Sequence, residues 1–445
     1  MTLVRRSAIT RSGGKLGTIG WSRLRLVAAT ALAASLMTAC GGEGGTPTLT
    51  WYVNPDNGGQ ATRAQQCADA SNGAYRVRIE TLPNSATAQR EQLVRRLAAH
   101  DSSIDVISVD VIYTAEFANA GFLRPFTTAE AARLTDGMLP APVETAKWKD
   151  TLYGAPLKSN TQLLWYRKSA AQAAGVDPAG PTFTWDQMLS SAVQQGKTVA
   201  EQGARYEGYM VWINALVLSG GGQVLADPEA GKHAKPGLDS PAGRKAAEIV
   251  GNLARSPAAP ADLSTAQEEQ ARAAFQSPSG MFMLNWPYVL AAARSAVKEG
   301  TLDQAVVDDI GWARYPRVFA DRPSAPPLGG INLGIGTYSK HPDLSVALVQ
   351  CVNSLEKATQ YMLDEGEPSP FAASYDDPKV RETYPNADLI RESIADAGPR
   401  PLTPFYVDVA GSIIQTWHPP ESVTAETPVK TDTFMADVLS GRRLL

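Results

Sequence analysis

The sequence is poor in what metal, redox and phosphate chemistry require. It has three cysteines and four histidines in 445 residues. His100, His233, His341 and His418 are scattered without metal-ligand spacing, so no metal site is expected. A Walker loop, a dinucleotide glycine fingerprint and a Gly-x-Ser-x-Gly elbow are all missing, and no cofactor is expected. Positive charge is also scarce. Six of the 41 basic residues (Arg5, Arg6, Arg11, Lys15, Arg23 and Arg25) fall in the first 40 positions, which hold no acid. Beyond them 35 basic residues face 45 acidic ones, a net charge near −10. That excludes a nucleic-acid partner, which needs a basic face. Tandem repeats and long low-complexity runs are absent, and the apolar run Leu26 to Met37 is too short for a stable membrane span.

What is present begins with an export signal. Residues 1–39 combine a basic segment with that apolar run, ending in Met37-Thr38-Ala39-Cys40 before Gly41-Gly42. This resembles a bacterial lipobox with Met in place of the usual Leu. It implies a lipid-modified Cys40, a tether over 40–48 and a place on the outer face of the cytoplasmic membrane. Ordinary secretory cleavage beside an incidental cysteine is the alternative. An exported chain permits disulfides, and Cys67 and Cys351, each on a predicted helix, are expected to pair.

At 445 residues the chain exceeds one ordinary core, so two lobes are expected. Short apolar strands at 49–53, 75–81 and 104–109 alternate with helices, which predicts parallel βαβ units in an open twisted sheet. The passage into a mostly helical second lobe is placed at Pro156 to Asn160. Thr127-x-x-Glu130, Thr184-x-x-Gln187 and Ser264-x-x-Gln267 read as helix-opening capping boxes. Ile310 to Tyr315 and Pro326 to Gly336 read as the return to the first sheet.

The stretch Glu268 to Tyr288, EEQARAAFQSPSGMFMLNWPY, is a helix, a turn, a buried strand and, from Asn285-Trp286-Pro287, a new helix with Asn as its cap. Trp286 thus lies where α/β sheets bind ligands, or else is a core aromatic. Polar residues recur at element ends: Asn57, Gln89, Arg90, Asp110, Asn160, Glu268 and Arg400. Carboxylates accept hydroxyl hydrogen bonds, arginine donates in a fixed fork, and a Trp face covers the apolar side of a sugar ring. The set suits a polyol, although each member alone reads as a cap or a surface charge.

Five separated segments, DVISVDVIYTAEFANAGFLRPF, SNTQLLWYR, TAQEEQARAAFQSPSGMFMLNWPY, LGGINLGI and AGPRPLTP, resemble extracellular solute-binding proteins of ABC sugar importers, of the maltose/trehalose-binding type. The resemblance implies a two-lobed α/β, periplasmic-binding-protein-like fold of type II, with open sheets flanked by helices and a ligand cleft between lobes. It implies lobe 1 over 49–157 and 309–363, and lobe 2 over 158–308 and 364–445. It carries ligand contacts onto Ser85, Gln89, Arg90, Asp110, Asn160, Glu268, Trp286, Gly329, Gly330 and Arg400, with Asn57 from the residue pattern. Asn160 stands where thermophile relatives have Asp, and Ile331 where they have a further Trp. Cysteines matching Cys67 and Cys351 also occur among relatives. The implied activity is capture of trehalose by a monomer that delivers it to a permease and ATPase. The competing expectations are a glycoside hydrolase using Asp110 and Glu268, a general disaccharide receptor, and a surface adhesin.

Overall fold

Apolar runs long enough to be covered on both faces set up two sheets, as seen in a computed structural model that describes residues 45–56 and 58–445. The export signal and Cys40 lie outside the described residues. In chain order the strands of these two sheets are β1 (Thr48–Val53), β2 (Arg76–Thr81), β3 (Val106–Asp110), β4 (Gly154–Thr161), β5 (Leu163–Arg167), β6 (Thr198–Ala200), β7 (Gly280–Asn285), β8 (Ile310–Ala313), β9 (Pro327–Ile335) and the two-residue β10 (Gly398–Pro399). The helices that matter below are α1 (Gly59–Ala70), α2 (Ala86–Ala98), α3 (Glu207–Ser219), α4 (Glu268–Gln276), α5 (Tyr288–Lys298), α6 (Pro342–Val352), α7 (Leu355–Glu365) and α8 (Tyr406–Trp417).

The first sheet runs β10-β9-β3-β1-β2, and β4 pairs with the other side of β9. Strands β1, β2 and β3 are parallel, while β9 is antiparallel to β3 and to β4. One face packs Leu49, Trp51, Val53, Leu333 and Ile335 beneath α1 and α6. The other packs Tyr52, Ile107 and Val109 against Leu93 and Leu97 of α2. The second sheet runs β8-β5-β7-β6. Leu163, Trp165 and Met283 face a layer that includes Phe275 of α4 and Val289 of α5. Leu164, Phe282 and Leu284 face Trp185, Tyr209 and Trp212. Successive strand residues therefore enter different cores, as a period of two requires.

Two boundaries differ from the sequence reading. Lys158 to Thr161 stay in the first sheet, paired along β9, and Gln162 alone separates β4 from β5. Ile310 to Ala313 pair with Leu164 to Arg167, so β8 belongs to the second sheet and the return comes with β9. An apolar strand records burial but not its partner, which explains both differences. The capping boxes at Thr127 and Thr184 form as expected, whereas the box at α4 is made by Gln267 and Gln270, with Ser264 in a preceding 3-10 turn. Asn285 ends β7 instead of capping a helix; α5 starts three residues later at Tyr288.

Cys67 of α1 and Cys351 of α6 are disulfide-bonded, with Cα atoms 5.9 Å apart and 284 residues between them in sequence. Closing so long a loop removes much of the unfolded chain's freedom. The Cys67→Ser/Cys351→Ser double variant is expected to lose about 2–5 kcal/mol of stability in denaturant titration. The wild-type chain from residue 41 should show no free thiol when denatured without reductant.

Glu201, immediately after β6, is 1% exposed. Its Oε2 accepts the Gln202 backbone N–H at 3.1 Å, and its Oε1 has no hydrogen-bond partner. Burial raises its pKa well above the ordinary carboxylate range. A folded-state pKa above the unfolded value means that the group's stabilising contribution is complete at low pH and is lost as pH rises through the folded pKa. Glu201→Gln removes that loss. The variant's melting temperature should match wild type near pH 4 and exceed it at pH 8–9, by roughly 1 °C per kcal/mol for a chain of this size.

Candidate functional site

The ends of β3, β4, β7 and β9, the first turns of α3 and α4, and the segment after β10 carry the polar groups of the site. Asp110 ends β3, and its Oδ1 accepts the Ile112 backbone N–H at 3.2 Å. Arg400, directly after β10, is 6% exposed. Its Nη1 donates to Glu207 Oε1 at 2.7 Å, its Nη2 lies 3.9 Å from Asp110 Oδ1, and its Nε is buried without a partner. The Tyr406 hydroxyl also donates to Glu207 Oε1, and the Tyr406 ring meets Tyr113 edge-on at 6.1 Å.

The second half is built around Glu268 at the start of α4. Its Oε1 accepts the Trp286 indole N–H at 3.0 Å. The Tyr206 hydroxyl, which donates to Gln202 Oε1, is within electrostatic reach of the Glu268 charge, and the Glu268 carbonyl accepts Asn285 Nδ2 at 3.2 Å. The fully buried Asn285 also accepts the Trp286 backbone N–H at 2.8 Å through Oδ1. One amide thus fixes both the acid and the tryptophan. Glu269 turns away, bound to Arg272 and to the Tyr288 hydroxyl, so Glu268 is the one that faces Trp286.

Of two adjacent glycines in β9, the first brings backbone to the ring and the second to β4. A Cβ on Gly329 would stand 3.2 Å from two indole carbons of Trp286. Gly330 has φ +146°, and a Cβ there would meet the Lys158 carbonyl at 2.5 Å. Gly329 is paired with Asn160 across β4, where Asn160 Oδ1 accepts the Thr161 N–H at 3.0 Å. Lys158 Nζ pairs with Glu367 at 2.5 Å, and its charge acts on both Asp110 and Glu268.

Desolvation raises the pKa of all three acids. For Asp110, Arg400 is the main opposing influence; for Glu207, Arg400 and Tyr406 are. Glu268 keeps solvent contact, yet protein surrounds its carboxyl enough for desolvation to raise it, with the Trp286 N–H opposing and Glu367 adding to the rise. Burial works against the Arg400 charge, but Tyr406, Glu207 and Asp110 outweigh it and raise its pKa.

The remaining expected residues have other employment. Ser85 is exposed and caps α2, accepting the Ala88 N–H at 3.2 Å. Gln89 donates to the Pro83 carbonyl at 2.8 Å. Arg90 makes two short bonds to Glu116, 2.6 and 2.5 Å, beside the Tyr113 ring. Ile331 is 5% exposed and packs in the first sheet's core. Asn57 lies outside the described residues. Glu207, Tyr406, Tyr206 and Lys158 were missed by sequence reasoning. The available signal was a lone acid heading the otherwise apolar helix GYMVWINALVL, a position that the helix dipole favours.

Among the described residues there is no group of three metal-binding side chains, and no helix is long and apolar enough to cross a membrane. The family model for bacterial extracellular solute-binding proteins matches residues 58–359. A curated relative from Deinococcus radiodurans, described as a "Probable ABC transporter-binding protein", is 26% identical over 337 residues, covering 74% of this chain and 76% of its own. The structure of maltose-bound MalE3 from T. maritima superposes with a TM-score of 0.75 at 25% identity, covering 89% of this chain and all of that one. MalE from Xanthomonas citri gives 0.73 at 19% identity, with 89% and 98% covered. A mannitol-bound solute-binding protein from Agrobacterium vitis gives 0.68 at 17%, with 89% and 99% covered. The hydrolase alternative fails with the family match and the curated relative, which are solute-binding components of ABC transporters and not enzymes. The chain belongs to the bacterial extracellular solute-binding proteins, the two-lobed α/β receptors of ABC transporters.

Proposed function

We propose that this chain is the trehalose receptor of an ABC sugar importer, of the type of LpqY, the mycobacterial trehalose-binding lipoprotein. In this reading Cys40 carries the lipid, and a monomer closes on trehalose and presents it to the permease for recycling. The observation that carries the reading is the Trp286 ring, held at its N–H by Glu268 and backed by Gly329, together with a buried arginine held among carboxylates at the ends of other elements. A ring face covers sugar C–H groups, and the acids and the guanidinium serve the hydroxyls. Lobe 1 would comprise the first sheet up to Thr161 and again from β9 to residue 363, and lobe 2 the second sheet with α3 and α4 together with residues 364–445. A ligand touching both lobes favours the closed state by its differential affinity for it. The contacts proposed for lobe 1 are Asp110, Gly329 and Gly330, with Ser85, Gln89, Arg90 and Asn57 at its edge. Those for lobe 2 are Glu268, Trp286 and Arg400, and Asn160 lies at the crossing. A maltose-type disaccharide receptor is the second reading, favoured by the maltose held in MalE3.

Isothermal titration calorimetry of residues 41–445 with trehalose and with maltose separates the two. Saturable heat with trehalose alone is expected; equal heats would favour the broader receptor, and no heat with either would refute both. Trp286→Ala and Arg400→Ala should each weaken binding at least 100-fold, about 2.7 kcal/mol, while the proteins stay folded. Unchanged affinity in either folded variant would remove that residue from the site.

A further inference from the structure

We infer that Glu207 is a positioning residue for ligand recognition: it holds one end of the Arg400 fork so that the other end faces the site. The inference rests on the reading of the cleft as a sugar site. A guanidinium presents five N–H donors in a rigid plane. In Arg400, Nη1 is taken by Glu207 at 2.7 Å, and Tyr406 donates to the same oxygen, fixing that carboxylate from its other side. Nε has no partner, and the 3.9 Å from Nη2 to Asp110 is an ion-pair distance too long for a hydrogen bond. The free edge of the fork, Nε and Nη2, is what a hydroxyl oxygen can use.

Helix α3 is built to hold this segment. Glu207 and Asn214 are seven residues apart, so two turns place them on one face. Asn214 Nδ2 donates to the Pro399 carbonyl at 3.3 Å, next to Arg400, and Leu218, one turn further, lies against Gly398. The helix itself is buried along almost its whole length and does not yield. The arginine is on an extended stretch between Pro399 and Pro401, with only two residues of strand before it, so it depends on α3 for its placement. Without Glu207, the acid left facing Arg400 is Asp110, and the fork would turn toward it, closing off the edge meant for the ligand.

The test has a binding arm and a ligand-free arm. Glu207→Ala should weaken trehalose binding about as much as Arg400→Ala. Glu207→Gln, which keeps an acceptor oxygen, should lose less. The Glu207→Ala/Arg400→Ala double variant should be no weaker than Arg400→Ala alone, because a positioning residue has nothing to act on once the arginine is gone. In the ligand-free arm, a crystal structure of Glu207→Ala, or of Glu207→Leu where the alanine variant does not fold, should show the guanidinium shifted toward Asp110. Wild-type affinity in folded Glu207→Ala, additive losses in the double variant, or an unmoved Arg400 would overturn the inference. Failure of wild type to bind trehalose or maltose would refute the sugar reading while leaving the crystal structure to decide the positioning role.

Discussion

A guanidinium taken out of water costs several kcal/mol unless carboxylates come with it, and Arg400 is almost wholly removed from water. The placement of the surrounding elements follows from that requirement. The end of β3 delivers Asp110, the first turn of α3 delivers Glu207, and the start of α8 delivers Tyr406. These groups lie up to nearly three hundred positions apart in sequence, so the ion cluster exists only when both sheets are formed and packed. The acids are tied to the cation in turn: desolvation disfavours their charge, and Arg400 is the largest influence restoring it. Altering one member therefore changes the condition of the rest.

The other half of the site works by a different economy. At Trp286 the main fixing device is the buried amide of Asn285, which serves the acid's backbone and the tryptophan's backbone together. Because Asn285 ends a central strand of the second sheet and its carbonyl accepts the Trp165 indole N–H at 3.0 Å, the ring's orientation is inherited from the sheet core. Lys158, already neutralised by Glu367, lies within electrostatic reach of both halves. Arg400 and Lys158 thus find counter-charges within the protein, whereas Glu268 is held by the Trp286 indole N–H and has no ion-pair partner of its own among the described residues.

Much of this was legible in the residue pattern, for a physical reason. Strands covered on both faces must be continuously apolar, so β3 and β7 stood out, and their last residues, Asp110 and Asn285, were visible as polar stops. Which sheet a strand joins is a question of long-range pairing, and Ile310 to Ala313 carry no local sign of it. Ser85, Gln89 and Arg90 illustrate the converse: polar residues at a helix start look alike whether they meet a ligand, cap the helix or bind Glu116. Glu207 escaped notice because a first-turn acid is already explained by the helix dipole. Its second task, receiving Arg400, becomes visible only when residues far apart in the chain are brought together.

The crosslink between α1 and α6 has a consequence for covalent integrity. Both anchored helices stand on the same sheet, and the ring they close contains the whole excursion through β5, β6, β7 and β8. A protease cutting any exposed loop of that excursion would open the ring without releasing a piece. The nicked receptor would migrate as one molecule until reduced, and its two fragments would stay at a local concentration set by the bond. Outside the cell, where proteases of other origin act, the ring lets such a solute-binding protein survive a single cut as one covalent body.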